Sequence, residues 1–282
     1  MALMHSALTI QVPLDASFFL QNESRIDHLL EFSDWATLSQ DQDLRSAVEL
    51  LVPVGCRRNL IRVGGNGDGA YLLPDHLEGI EACFSPGVST IIDFETDLAR
   101  QYAIPSYLCD ASVEATDLAL DPLMQRFSRK WLGSFDDDNT QSLDAWVLGS
   151  DHADSHELLL QMDIEASEYN ALLAVSDSVL ERFRILVIEF HRLDALQSSR
   201  FLNTRFLPVL RKLLAQFDCV HAHANNCLPA VNLSGYDVPP VLELTFYRKW
   251  ENQGDRRPWR PNALDVLNVP SNPPLLLGAP WV

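Results

Sequence analysis

Glycine is scarce in this chain, 12 of 282 residues, where about 7% is usual. A glycine-rich phosphate loop is therefore not expected. Basic residues are also in short supply, 21 against 39 acids, for a net charge of −18. That balance excludes a nucleic-acid binder, which needs a clustered basic surface, and disfavours an anionic membrane face. No apolar run reaches the roughly 18 residues of a membrane span. The opening MALMHSALTIQVPLD lacks the basic start and long apolar stretch of a secretory signal. Only five cysteines occur (Cys56, Cys83, Cys109, Cys219 and Cys227), never as CxxC. An odd, scattered set fits a reduced, cytoplasmic protein without a disulfide framework or a thiolate zinc site.

What is present reads as one large α/β domain. With 47% hydrophobic and 21% charged residues, the composition is that of an ordinary globular chain. The first fifty residues are helical in period: RIDHLLEFSDWATL (25–38) and LRSAVELLVPV place apolar residues near one face. Residues 1–56 are read as a helical cap. From residue 57, short apolar runs alternate with helical stretches. The runs are 80–88, 105–112, 157–165, 183–191, 217–224 and 241–249; FETDLARQY, SEYNALLAVSDSVLERF and FLNTRFLPVLRKLLAQF lie between them. Near-continuously apolar strands separated by helices predict a doubly wound, mostly parallel sheet covered on both faces. The main domain is placed at 57–250. Residues 251–282, rich in proline, form an extended tail over the domain or a disordered end; Trp259, Trp281 and Leu275 to Leu277 favour wrapping.

In such sheets the ligand lies outside the carboxyl ends of the strands. Here those ends offer Ser85 and Ser89, Asp110, Asp163 and Glu165, Glu189 and His191, then His221, His223, Asn225 and Asn226. LLLQMDIEASEYNALL brings Asp163 and Glu165 out of a strand and Glu168 into a helix. Asp163 suits an amine or a hard cation such as Mg²⁺. In VIEFHRL, Glu189 and His191 can join Asp163 around one ion, or His191 can act as a general base. In CVHAHANNC, two histidines share a face without zinc-finger spacing. RVGGNGDGAYLLPD places four of the glycines between Gly64 and Gly69; a hairpin explains them, and so does a backbone that approaches a ligand. SFDDDNT carries Asp136 to Asp138, a DxD pattern that would suit a metal-dependent sugar-nucleotide transferase.

Taken together, GGNGDGAYLL, CFSPGVSTIIDFETDLA, LQMDIEASEYNALL, LVIEFHRL and VHAHANNC resemble the FkbM-like family of S-adenosylmethionine (SAM)-dependent methyltransferases, in order, over about residues 57 to 270. VLELTFYRK resembles that family's penultimate strand. The resemblance implies a class I, Rossmann-like sheet of seven strands with one antiparallel hairpin near the end. It implies SAM as cofactor, with Ser85, Pro86, Gly87 and Val88 under its methionine part, Asp110 on the ribose hydroxyls and Asp163 nearby. His191 or His223 would be the catalytic base, and Asp68, Tyr71, Glu165 and Asn225 would contact the acceptor. Asp163, Glu189 and His191 would hold a divalent metal, if one is used. The expected activity is methyl transfer to a hydroxyl of a small molecule or glycan, and a non-catalytic relative of the fold is an alternative. The segment from Asp110 to Glu157 carries eleven acids and three bases, which favours a neutral or cationic acceptor. The sequence leaves room for a homo-oligomer. It departs from the family pattern at Ala70 and Ala166, where glycine is usual, and in the single glycine of SPGVS.

Overall fold

The computed structural model describes residues 37–254 and 259–282. The helix expected over 25–38 lies, but for its last two residues, outside the described residues. Helix α1 (Asp41–Glu49) follows, burying Leu44, Ala47 and Val48. Strands β1 (Leu60–Val63) and β2 (Tyr71–Pro74) form a separate antiparallel hairpin around the glycine segment. Then come β3 (Ala82–Pro86), α2 (Asp93–Tyr102), β4 (Ser106–Cys109), β5 (Gln125–Ser128), a small parallel pair β6 (Trp131–Gly133) and β7 (Thr140–Ser142), and α3 (Leu143–Leu148). Next are β8 (Leu158–Met162), α4 (Glu168–Ala174), α5 (Asp177–Leu180), β9 (Phe183–Phe190), α6 (Ser199–Phe201), α7 (Leu207–Gln216) and β10 (Phe217–Ala224). The short hairpin β11 (Val231–Leu233) and β12 (Tyr236–Val238) leads to β13 (Leu242–Arg248).

The main sheet has seven strands in the order β10-β13-β9-β8-β3-β4-β5. Every neighbour pair is parallel except the two made by β13, which runs antiparallel to both β9 and β10. This is the strand order of a class I methyltransferase sheet, and the fold is Rossmann-like. The VLELTFYRK strand is last in the sheet by sequence but second from its edge in space. It enters between β9 and β10 from the opposite direction, so six carboxyl ends share one rim.

Burial on both faces explains the apolar runs. On one face Leu158, Leu160 and Met162 of β8 and Leu186, Ile188 and Phe190 of β9 pack with α1, α4 and α7. Leu159, Ile185 and Val187 turn to the other face, against Phe94 and Leu98 of α2 and the β1–β2 hairpin. Alternation is lost from the sequence because both phases are buried.

Three local details differ from the sequence reading. The strand β5 has no counterpart among the six apolar runs; QRFS is a short edge strand with three of its four residues polar. The single helix expected in SEYNALLAVSDSVLERF is two, broken at Val175 and restarted by Ser176, whose side chain accepts from Val179 N–H. In FLNTRFLPVLRKLLAQF, Pro208 would remove an interior helix hydrogen bond; a π turn over Leu202–Phe206 precedes it, and α7 restarts with the proline in its first turn. The tail from Trp259 has no helix or strand, and Trp259, Leu277 and Trp281 are buried in the core. No described helix is long and apolar enough to cross a membrane.

Candidate functional site at the carboxyl rim

The turn after β3 is tied to both neighbouring strands. Gly87 N–H donates to Cys109 O (2.9 Å) and Asp163 N–H donates to Pro86 O (3.2 Å). Gly87 has φ +89°, and a Cβ there would lie 1.5 Å from the Asp163 carbonyl oxygen. The single glycine of SPGVS therefore stands where two loops of this chain touch. Pro86 and Val88 beside it are buried. Asp110 follows β4 directly, and its Oδ1 accepts from Ser112 N–H and Oγ–H (2.6 and 2.5 Å), forming a local turn.

Ser85 lies beneath that turn, fully buried. Its hydroxyl contacts Glu95 Oε1 and Gln161 Oε1, the latter at 2.6 Å, while Gln161 Nε2 donates to the Tyr71 hydroxyl (3.2 Å). One hydroxyl proton cannot serve two acceptors. The consistent assignment has a protonated Glu95 donating to Ser85, which donates to Gln161. Burial raises the Glu95 carboxyl in the same sense, and the Ser85 hydroxyl beside it offsets part of that rise. Tyr71 packs edge-to-face on Phe94 (5.7 Å) and is itself buried.

The densest chemistry lies between β8 and β10. His191 Nδ1 is 3.0 Å from Glu168 Oε1, and the same oxygen accepts from Ile164 and Ala166 N–H (3.1 and 3.2 Å). The backbone turns sharply here, with Glu165 and Ala166 both left-handed at φ +54° and +75°. His191 Nε2 faces Asp163 Oδ1, Glu165 Oε2 and Glu189 Oε1, each at 3.7 Å. Asp163, Glu189 and His191 form a group able to hold a cation. Two ligands of one ion stand roughly 3–4.5 Å apart when each bond is about 2.0–2.4 Å. A carboxylate fixing the far nitrogen of a histidine is also the usual outer support of a metal ligand. The Glu189 Oε2 atom is buried without a hydrogen-bond partner, as an atom awaiting a ligand would be.

Electrostatics follow from crowding. Burial pushes Asp163 up to about 7, with His191 opposing and Glu165, Glu168 and Asp68 adding to the rise. Glu189 is raised well above the carboxylate range by burial, then by Asp163 and Glu243. For His191 burial acts downward, but Glu168, Glu189 and Asp163 outweigh it and raise the ring's pKa well above that of a free imidazole.

The remaining rim residues engage the tail. His221 Nε2 is 3.0 Å from Asp265 Oδ1, and His223 Nε2 is 3.1 Å from Asn268 Oδ1. Asn268 Nδ2 donates to Glu243 Oε1 (2.6 Å) and Asp68 Oδ1 (2.9 Å). The Asn268 oxygen must then accept, so His223 carries its proton on Nε2. Burial lowers the His223 pKa, with Asp265 opposing. Asn225 Nδ2 donates to Glu189 Oε1 (2.9 Å).

The structure thus gathers Asp68, Asp163, Glu165, Glu189, His191, His223 and Asn225 along the β8–β10 side of the rim, with Tyr71 buried near its acids. Ser85 to Val88 and Asp110 lie at the ends of β3 and β4. Asp136 and Asp137 stand apart, in the turn between β6 and β7. Their carboxylates accept from Ser142 N–H and Oγ–H and from Asn139 and Thr140 N–H. Sequence reasoning missed Glu243, Asn268, Glu95 and Gln161. Glu243 had a signal, an acid inside an apolar strand; Asn268 had none. A cavity of about 620 Å³ is bordered by Arg58, Asp75, Val220, Trp259 and Asn262; Trp259 Nε1 donates to His221 Nδ1 (3.4 Å) and Asn262 N–H to Asp265 Oδ2 (3.0 Å).

The fold and site define a Rossmann-like α/β protein with a methyltransferase strand order and a carboxylate–histidine cluster at the carboxyl ends of its strands. Comparison of the sequence with protein-family models and with curated proteins finds no match.

Proposed function

We propose that this chain is a SAM-dependent methyltransferase acting on a hydroxyl of a small molecule or glycan. The observation that carries the reading is the strand order, with β13 alone reversed between β9 and β10. On that frame SAM would lie over the ends of β3 and β4. The turn Ser85 to Val88 would run under its methionine part, and Asp110 would accept from the ribose diol, as an acid does at this place in dinucleotide folds. The acceptor would sit toward β8 and β9, so that its oxygen meets the methyl carbon in line. Methyl transfer needs little covalent help from the protein beyond alignment and removal of the acceptor's proton.

A divalent cation held by Asp163, Glu189 and His191 would supply Lewis acidity at the acceptor oxygen. Glu168 orients His191 for that role through its Nδ1. The acceptor's proton passes to the exposed Glu165 carboxylate of the rim, which is not a ligand of that cation. His191, as a ligand of that cation, would not be free to act as base. His223 points its N–H toward Asn268, leaving its lone pair on Nδ1, which is 3.7 Å from Asp265 Oδ1. The acidic surroundings favour a neutral or cationic acceptor and attract the sulfonium cofactor.

A crystal soaked with S-adenosylhomocysteine tests the reading. Density over β3 and β4, with the ribose at Asp110 and the sulfur toward Asp163, is the expected result. A nucleoside bound elsewhere, or none at saturating ligand, contradicts it.

A further inference from the structure

Glu243 lies directly opposite Glu189 in the register of β13 on β9, and His223 opposes Glu243 from β10. Glu189 and Glu243 are both buried, at 4% and 6% exposure. Directly opposed like charges destabilise a strand pair even at a surface, and buried ones need compensation. The donors that reach them are neutral amides: Asn225 on Glu189 Oε1, and Asn268 on both Glu243 Oε1 and Asp68 Oδ1. The Arg62 guanidinium directs its N–H groups to the carbonyls of Gly65, Gly67 and Leu264. His191 Nε2 stands 3.7 Å from Glu189 Oε1, the oxygen that Asn225 also reaches, and the same distance from Asp163 Oδ1, within the first cation group.

Asp68, Glu189 and Glu243 nevertheless bring one carboxylate oxygen each within 4.8 Å of one another. Their elements are unrelated: the β1–β2 loop, the end of β9 and the start of β13. Arg62 wraps the glycine loop by donating to Gly65 O and Gly67 O, both at 3.0 Å, and this holds Asp68 over the strand ends. The buried Oε2 of Glu189, without a hydrogen-bond partner, belongs to the residue common to this group and to the Asp163–Glu189–His191 group.

We propose that Asp68, Glu189 and Glu243 form a second cation site that shares Glu189 with the first, so that the chain holds a carboxylate-bridged pair of divalent ions. The two halves differ in chemistry. One offers imidazole nitrogen and two carboxylates, the other oxygen alone. Mn²⁺ accepts both kinds of ligand, whereas Mg²⁺ and Ca²⁺ are suited to the all-oxygen half. Asn268 and Asn225 then serve to orient ligands. This site does not depend on the methyltransferase reading, because ion binding is measured without SAM.

The test is Mn²⁺ titrated into the full chain, followed by calorimetry and by electron paramagnetic resonance, with folding of each variant checked by circular dichroism. The wild type is expected to take up two ions with a spin-coupled signal. Glu243→Gln is expected to retain one ion and lose the coupling, and Asp68→Asn, at an exposed residue, to do the same should Glu243→Gln not fold. Glu189→Gln is expected to weaken both sites at least tenfold. A wild type that binds one ion or none, or two ions retained in both Glu243→Gln and Asp68→Asn, overturns the proposal. Absence of SAM binding with two ions still bound would reject the methyltransferase reading alone.

Discussion

Gly87 and Ala166 show opposite uses of the left-handed region. At Gly87 a methyl group would overlap the Asp163 carbonyl, 1.5 Å away, so Gly87→Ala must separate the β3 and β8 loops. We expect a loss of about 3 kcal/mol or more, read by chemical denaturation. Ala166 already bears a Cβ at φ +75° and is buried; Ala166→Gly should stabilise the fold by about 1 kcal/mol in the same assay. Ala70, the other departure from glycine, is not among the residues with positive φ, and the left-handed positions of that segment are held by Gly64 and Gly69 instead. The sequence singled out Gly87 and Ala166. It did not reveal why Gly87 is needed, because the clash is with a residue 76 positions away. For the same reason the Glu95–Ser85–Gln161 chain was hidden: each member lies on a different element, and only packing makes their proton count a constraint.

At the scale of elements, the carboxyl rim is a place where strands meet with too many acids. In the unfolded chain these carboxyls titrate near about 4, whereas folded Asp163 sits at about 7 and Glu243, driven chiefly by burial, at about 8. The folded state therefore keeps protons that the unfolded state has released between these values. Stability must fall as pH rises through that window. His191 acts in the same direction, since its folded pKa is raised and its contribution is lost as pH rises through it. Asp265, lowered by its partners His221 and His223 against burial, loses its contribution only in acid below this window. We expect the Tm in EDTA to drop from pH 5 to pH 8, and Mn²⁺ or Mg²⁺ to restore it at pH 8. A Tm that rises over this range would show the cluster to be compensated internally. In the sequence, Asp163, Glu189 and His191 were legible because they end apolar runs. Glu243 was masked by its position at the start of a strand that runs the other way, and β5 by its short, polar edge sequence. The π turn before Pro208 follows from the proline, yet its form depends on the chain continuing as a helix on both sides.

For the whole molecule, charge and topology point to one rim. The strand order places the β3 turn, Asp110, Asp163 and Glu189 on the same edge. The tail contributes Asp265 and Asn268 to it while burying Trp259 and Trp281 in the core. The alternation of strands and helices was readable from hydrophobic runs, and the wrapping of the tail from its aromatic residues. The tail's part in the site was not, since a proline-rich segment has no periodicity that says which residues face inward. Truncation after residue 258 should therefore lower the Tm and also weaken cation binding, which a merely decorative tail would leave unchanged. SAM binding at the ends of β3 and β4 is measured by isothermal titration of the full chain with SAM. One SAM per chain is expected, with at least tenfold weaker binding in Asp110→Ala and Asp136→Ala unaffected. No heat at millimolar SAM, or equal binding by wild type and Asp110→Ala, would contradict this placement.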